Sequence, residues 1–387
     1  MKPSSPNSRF RRKERGSVIV LVLVLVFLTA MLLTKFIEST SVELMLETQH
    51  ADRERLRQEA HSALEVTLAT LADFLAVDHG LYTPIQGWSD PLGYAGYTPR
   101  EGVTVDVAFE DESGKISLPT ASRDTLFNLF ERLGLVEADA NQVTDALFFW
   151  MHDGYVPTNS AIDDAAYSSA VLPYQPAHRS LRTFDELKVV LGARDFFFDS
   201  DDQPKPLFDA FRGSVSLYAF NASNINANQA NTLGAAQLDD SQSALIANYV
   251  AGKGDRIAGA PPYLRNAKDV STVLGNAPTS GLGTTIQCLR IKITVREGAS
   301  NMVLNALVAQ PGKATYPAMA TVGDLTDDAT TQAQTAATAA ASTATGDTTA
   351  TGTTTRAART STLSYPFVIL QLSEENAPPS APATPNA

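Results

Sequence analysis

The residues best placed to undergo chemistry stand at a junction near the N-terminus. Arg9, Arg11, Arg12, Lys13 and Arg15 precede Gly16, and Ser17 opens onto an apolar run from Val18 to Leu33. This arrangement presents a scissile bond, Gly16–Ser17, on the hydrophilic side of a greasy segment. A cut there leaves the apolar run on the mature chain. An ordinary secretory cut would fall behind the run, at small residues. The available site is Leu28-Thr29-Ala30, and bulky Met31-Leu32-Leu33 follow it. An uncleaved anchor needs only the basic flank and the run, so the junction by itself leaves three outcomes open. Under the positive-inside rule the basic cluster holds the N-terminus in the cytoplasm, and the rest is exported.

The remaining side chains offer little chemistry. Five His and one Cys, Cys288, are scattered without the spacing of a zinc site, and a single Cys excludes an intramolecular disulfide. No Gly-rich phosphate loop or nucleophile elbow is present. The sequence therefore predicts no enzyme, and no cofactor with one exception. Asp199, Asp201 and Asp202 could supply hard oxygen ligands to calcium, or form a solvated turn. A net charge of −12 opposes a nucleic-acid partner, because phosphate binding needs a basic surface.

The element that must position the junction is a helix. Thr34 to Val77 contains no Pro or Gly, and Leu64, Leu68, Leu71 and Leu75 recur at helical spacing. A continuous helix from Val18 to Ala76 would be about 90 Å long. The alternative is a break near Thr34–Ser41, where Thr and Ser cluster; Gly80 and Pro84 end the helix in either case.

At 387 residues the chain can hold two domains plus appendages. Residues 81–99 read as a loop. Val103–Phe109 alternates as a strand, Glu110–Gly114 reads as a turn, and Lys115–Leu118 as the returning strand. Ser122 is a candidate N-cap before Leu126, Phe127, Leu129, Phe130 and Leu133, with Gly134 as the stop. Val143, Ala146, Leu147, Trp150 and Met151 form a second apolar helical face, which makes Trp150 a core residue. Thr183–Gly192 reads as a short helix, Val215–Phe220 as a strand or apolar connector, and helices follow near 228–237, 241–251 and 264–274. Strands are predicted at 285–296, 301–309 and 364–372. From Asp324 onward Thr and Ala dominate up to the last strand, a composition that buries too little surface to offset its ordering entropy. The order of elements gives an α+β domain whose sheet is interrupted by a helical block.

Several of these segments, in this order, resemble one family, the type II secretion minor pseudopilin K (general secretion pathway protein K). The segments are Asp111-Glu112-Ser113-Gly114-Lys115-Ile116-Ser117-Leu118, then Ala146 to Asp153 centred on Trp150, then Tyr167, Pro173-Tyr174, Asp185-Glu186-Leu187 to Gly192, and Asn224-Ile225-Asn226. The leader ending at Gly16 resembles that of a type IV prepilin. The match covers roughly residues 9–310. Pro119-Thr120, Phe148, Phe149, His152 and His178 depart from the family pattern. Some members bind calcium in the helical region, and these departures bear on that expectation.

The resemblance implies a pilin-like fold, a long N-terminal helix plus antiparallel sheet, with a large inserted α-helical SAM-like region. The expected organisation is a leader at 1–16, a membrane or filament helix at 17–80 and the first part of the sheet domain at 81–119. The inserted helical region follows at 120–284, as two units near 120–210 and 221–280. The remaining strands fall at 285–310 and 363–373, a Thr/Ala-rich disordered insertion at 311–362 and a disordered tail at 374–387. It further implies cleavage after Gly16 by prepilin peptidase, methylation of Ser17, and single-pass residence in the inner membrane with the bulk in the periplasm. The family's usual Glu at the fifth mature position is replaced by Leu21. Because an unpaired charge in hydrocarbon is expensive, that replacement points to the pseudopilus tip, where no neighbour lies above. The implied partners are the minor pseudopilins I and J, the major pseudopilin and the inner-membrane assembly platform. A minor pilin of a type IV pilus or competence system is the alternative.

Overall fold

In the computed structural model, residues 15–158, 162–169, 173–253, 257, 259–298, 300–317 and 366–375 are described. The basic leader up to residue 14, the Thr/Ala-rich stretch from 318 and the tail from 376 lie outside the described residues, as do the expectations made for them. The chain divides into two compact units, Met1–Glu59 and Ala60–Ala387.

The described part of the first unit is the start of one helix, α1, Arg15–Asp78. No Pro or Gly interrupts it after Gly16. The Thr/Ser cluster does not break it: Thr34 Oγ1 donates to the Ala30 carbonyl at 3.0 Å and Ser41 Oγ to that of Ile37 at 2.8 Å. Hydroxyls that bond back to the preceding turn are satisfied within the helix, at the cost of a slight bend rather than a break. The large apolar side chains from Ile19 to Leu33 are all exposed, at 50–68%. Helical residues of this kind require an apolar solvent or helical neighbours.

In the second unit the end of α1 is amphipathic. Leu64, Leu68 and Leu71 are buried, and Leu75 is half-buried. The main sheet has four antiparallel strands in chain order: β1 (Val103–Asp111), β2 (Cys288–Glu297), β3 (Ser300–Ala309) and β4 (Val368–Glu375). β1 and β2 pair from Val103↔Glu297 to Asp111↔Leu289. The β2–β3 hairpin pairs from Cys288↔Ala309 to Glu297↔Ser300, and Gly298 takes a positive φ of 57° in its turn. Ile291, Ile293 and Val295, alternate residues of β2, are fully buried, as strand geometry requires of one face.

The expected return strand at Lys115–Leu118 does not form. Glu112–Gly114 is a 3₁₀ turn, and only Ile116–Ser117 is extended, pairing in parallel with Val215–Ser216. The partner of β1 is β2, about 180 residues further on, because the polar side chains of 111–115 turn the chain out of the sheet. Val215–Phe220 likewise resolves into two dipeptide bridges, the second pairing Ala219–Phe220 with Ala314–Thr315. Thr183–Gly192 holds a 3₁₀ helix at Phe184–Val189 rather than an α-helix.

Between β1 and β2 lie the helices α2 (Arg123–Arg132), α3 (Glu137–Met151), α4 (Pro206–Ser214), α5 (Ala230–Ala235), α6 (Asp240–Val250) and α7 (Ala267–Leu274), with shorter turns among them. Ser122 caps α2 by accepting from the Thr125 amide at 3.1 Å, and Gly134 ends that turn at φ 95°. The helices bury two apolar clusters. One gathers Leu129, Phe130, Leu147, Trp150, Phe197 and Phe211, among others. The other gathers Ile225, Leu233, Ile246, Tyr249 and Leu264. Trp150 is 5% exposed, so it is a core residue as its helical spacing predicts.

Candidate functional site

Gly16 and Ser17 have helical backbone in the first turns of α1. Leu21 is 65% exposed, within a stretch that carries no charge from Ile19 to Thr34. The first charges after it pair with each other: Lys35 Nζ lies 3.2 Å from Glu38 Oε2. Among the described residues, α1 is the helix long and apolar enough to cross a membrane, with a mean hydropathy of 2.7 over an 18-residue window.

The three aspartates singled out for calcium sit in one turn, where the carboxylates of Asp199 and Asp202 have separate partners. Asp199 Oδ1 accepts from the amides of Asp201 and Gln203 at 2.9 and 2.8 Å. Asp202, at φ 59°, holds the Arg194 guanidinium at 2.7 Å. Among the described residues, no group of three or more His, Cys, Asp or Glu could hold a metal ion.

The best-built polar site is the turn after β1, where each residue type has a distinct task. Asp111 accepts from Ser113 Oγ at 2.6 Å and from Asn224 Nδ2 at 2.7 Å. Burial pushes its carboxyl up to about 6, against the opposing pull of these donors and of the Ser113 and Gly114 amides. Ser113 Oγ in turn accepts from the Gln287 amide at 3.0 Å, tying the turn to the approach to β2. Glu112, 3% exposed, is held by Lys115 at 3.1 Å and Arg290 at 3.2 Å. Lys115 also reaches Glu110 at 2.6 Å. Burial acts to raise the Glu110 carboxyl, but the Lys115 and Arg290 charges outweigh it and hold it below its ordinary value. Gly114 has no room for a side chain: a Cβ there would lie 2.4 Å from the Cβ of Ala227.

Asn224 and Asn226 extend this join into the second helical cluster. Asn224 Nδ2 also donates to the Tyr82 carbonyl at 2.9 Å, while its Oδ1 accepts from the Asn226 amide at 3.1 Å. Asn226 Nδ2 donates to the carbonyls of Leu264 and Thr284, and its Oδ1 accepts from the Leu264 amide, all at 2.8 Å. A buried amide with these partners satisfied fixes one arrangement of the three segments. The turn after β1 and the Asn-rich entry, more than 100 residues apart in sequence, are therefore one structure.

Sequence reasoning missed a second polar centre. Asp145, fully buried on α3, accepts from Arg123 Nε at 2.9 Å, Tyr155 Oη at 2.7 Å and the Thr158 amide at 3.1 Å. Burial acts to lower the Arg123 guanidinium, but Asp145 and Tyr155 outweigh it and raise it. The only sequence signal was a carboxylate on the apolar side of α3, where a charge must be paired.

Residues 109–197 match the family model for type II secretion system (T2SS), protein K. The matched segment holds the turn after β1, Trp150, Tyr167 and the 3₁₀ helix at Phe184–Val189. No curated protein matches the chain. One solved structure similar to it is a chain of the GspK–GspI–GspJ complex from the enterotoxigenic Escherichia coli type 2 secretion system. It is 14% identical with a TM-score of 0.48, over 68% of this chain and 93% of that one. Over residues 109–197 the family model bears out the resemblance to secretion protein K read from the sequence.

Proposed function

We propose that this chain is a minor pseudopilin of a type II secretion system, cut between Gly16 and Ser17, methylated on Ser17, and carried at the tip of the pseudopilus. The observation that carries the reading is the family match over 109–197 in a chain that also bears a continuous, exposed apolar helix behind a basic leader. In this reading α1 anchors the subunit in the inner membrane and later packs among the helices of neighbouring pseudopilins. Leu21 leaves no carboxylate to neutralise the terminal amine of a subunit above, which suits the end of a filament. The helical block between β1 and β2 would obstruct further addition on that side. The partners would be pseudopilins I and J, as in the complex of the similar solved structure, together with the major pseudopilin and the assembly platform.

The mechanism is assembly rather than catalysis. Hydrophobic transfer keeps α1 in the bilayer until helical neighbours replace lipid, and the polar join after β1 ties the sheet to the helical block. The test is deletion of the chain in its host with complementation. Loss of extracellular folded enzymes, with twitching and transformation intact, supports the reading. The converse pattern would assign the chain to a type IV pilus or competence system.

A further inference from the structure

One ionisable residue in the matched segment takes no part in the polar networks above. His152 ends α3, its amide donating to the Phe148 carbonyl at 2.8 Å. Its ring lies flat on Phe148, with centroids 4.7 Å apart and planes 5° apart, and Tyr155 closes the group at 6.5 Å from His152 and 5.5 Å from Phe148. His152 Nε2 is buried and has no hydrogen-bond partner. A neutral imidazole tolerates this, since one ring nitrogen can remain a lone pair against apolar surface. A protonated ring cannot, because both nitrogens become charged donors and one of them is stranded.

We propose that the Phe148–His152–Tyr155 ring stack is an acid-sensitive catch, holding residues 152–158 against α3 while His152 is neutral and releasing them when it is protonated. The link to the fold is Tyr155, whose hydroxyl donates to Asp145 at 2.7 Å, beside the Thr158 amide on the same carboxylate at 3.1 Å. Displacing the His152 ring removes one contact of Tyr155 and uncovers a face of Phe148, the ring on which Tyr155 packs more closely. Carboxylates stand on the same segment and the one after it: Asp153, Asp163 and Asp164 line one open cavity with His178, Tyr155 and Phe149.

Among the described residues, the charged and titratable groups around the stack are few. On α3, Asp145 is committed to Arg123, which approaches from α2. On the following segment stand Asp153 and the Tyr155 hydroxyl, and beyond it Asp163, Asp164 and His178. Burial lowers the His152 imidazolium below its ordinary value of 6.5, in the direction that the stranded nitrogen requires. A base lowered in the closed state contributes stability at high pH. That contribution fades as pH falls through 6.5, where the open state takes up its proton first, and is lost once the folded value is passed. From an ordinary value of 6.5, the opening equilibrium can rise by at most about tenfold between pH 7.5 and 5.5.

The proposal is tested on the full chain in detergent by backbone hydrogen exchange at pH 7.5 and 5.5, corrected for intrinsic rates. Protection over residues 152–158 is expected to drop severalfold at pH 5.5, and His152→Phe, which keeps the stack and removes the titration, is expected to abolish the response. Equal protection at both pH values in the wild type, or an undiminished response in His152→Phe, would overturn it. Should the variant misfold, imidazole C2–H exchange of the wild type reads the same group directly. A midpoint for His152 below 6.5 supports the catch, and one at or above 6.5 refutes it.

Discussion

Replacing Gly114 by Ala probes the join between the sheet and the second helical cluster at its tightest point. The new methyl would lie 2.4 Å from the Cβ of Ala227, well inside contact distance, and Gly114 is itself buried. Neither atom is the far end of a flexible side chain, so the backbone of 112–115 or 225–227 must move. Such a movement disturbs the Ser113–Asp111 and Asn224–Asp111 hydrogen bonds of 2.6 and 2.7 Å. Overpacking of this kind costs about 1–3 kcal/mol, which lowers the melting temperature of a domain this large by about 3–10 °C. The assay is thermal unfolding of the full chain in detergent, followed by near-ultraviolet circular dichroism. Gly213→Ala is the control: it lies on α4 with nothing within 4 Å of the added Cβ, and should melt at or slightly above the wild-type temperature. The decisive variant is the double substitution Gly114→Ala with Ala227→Gly, which removes the clash and should recover most of the loss. A Gly114→Ala chain that melts with the wild type, or a double variant that melts lower than the sum of the singles, would refute the steric account.

Arg123→Met takes the paired cation from the fully buried Asp145, which Tyr155 and the Thr158 amide still reach, and is expected to cost about 3 kcal/mol, measured by denaturant unfolding; adding Asp145→Asn should restore part of it. Asn226→Ala leaves the Leu264 amide and the carbonyls of Leu264 and Thr284 without their partner, a loss of about 2–4 kcal/mol that hydrogen exchange should localise to 264–284. Leu21→Glu should still enter the membrane, since one acidic residue costs only about 2.5–3.5 kcal/mol at a helix centre. Electron microscopy of overproduced pseudopili should nevertheless show altered number or length, and unchanged length and secretion would count against the role given to Leu21.

The elements with strong periodicity were legible in the sequence. α1 follows from an uninterrupted Pro- and Gly-free run, α2 from its Ser122 cap and Gly134 stop, and β2 from the alternation of Ile291, Ile293 and Val295. The hairpin at 103–118 was misread because its local signals, an alternating strand and a polar turn, are those of any hairpin. What decides against it is non-local: Gln287, Arg290 and Asn224 bind the turn residues and draw the chain away from β1. The same holds for the polar centres. The segment Asp111–Lys115 stood out as a motif, yet its partners lie more than 100 residues away and have no spacing that points to them. Asp145 gave a weaker signal still, a single acid on an apolar face, whose meaning depends on Arg123 from a different helix. His152 was visible as a departure from a pattern, and only its ring stack shows what the departure does.

The account stands most directly on the N-terminus of the mature protein. Intact-mass and N-terminal peptide mass spectrometry of the chain purified from its own membranes should find a protein that begins at Ser17 and carries one additional methyl group there. A chain that still begins at Met1, or one cut behind Ala30, would contradict the assignment of this subunit to a pseudopilus.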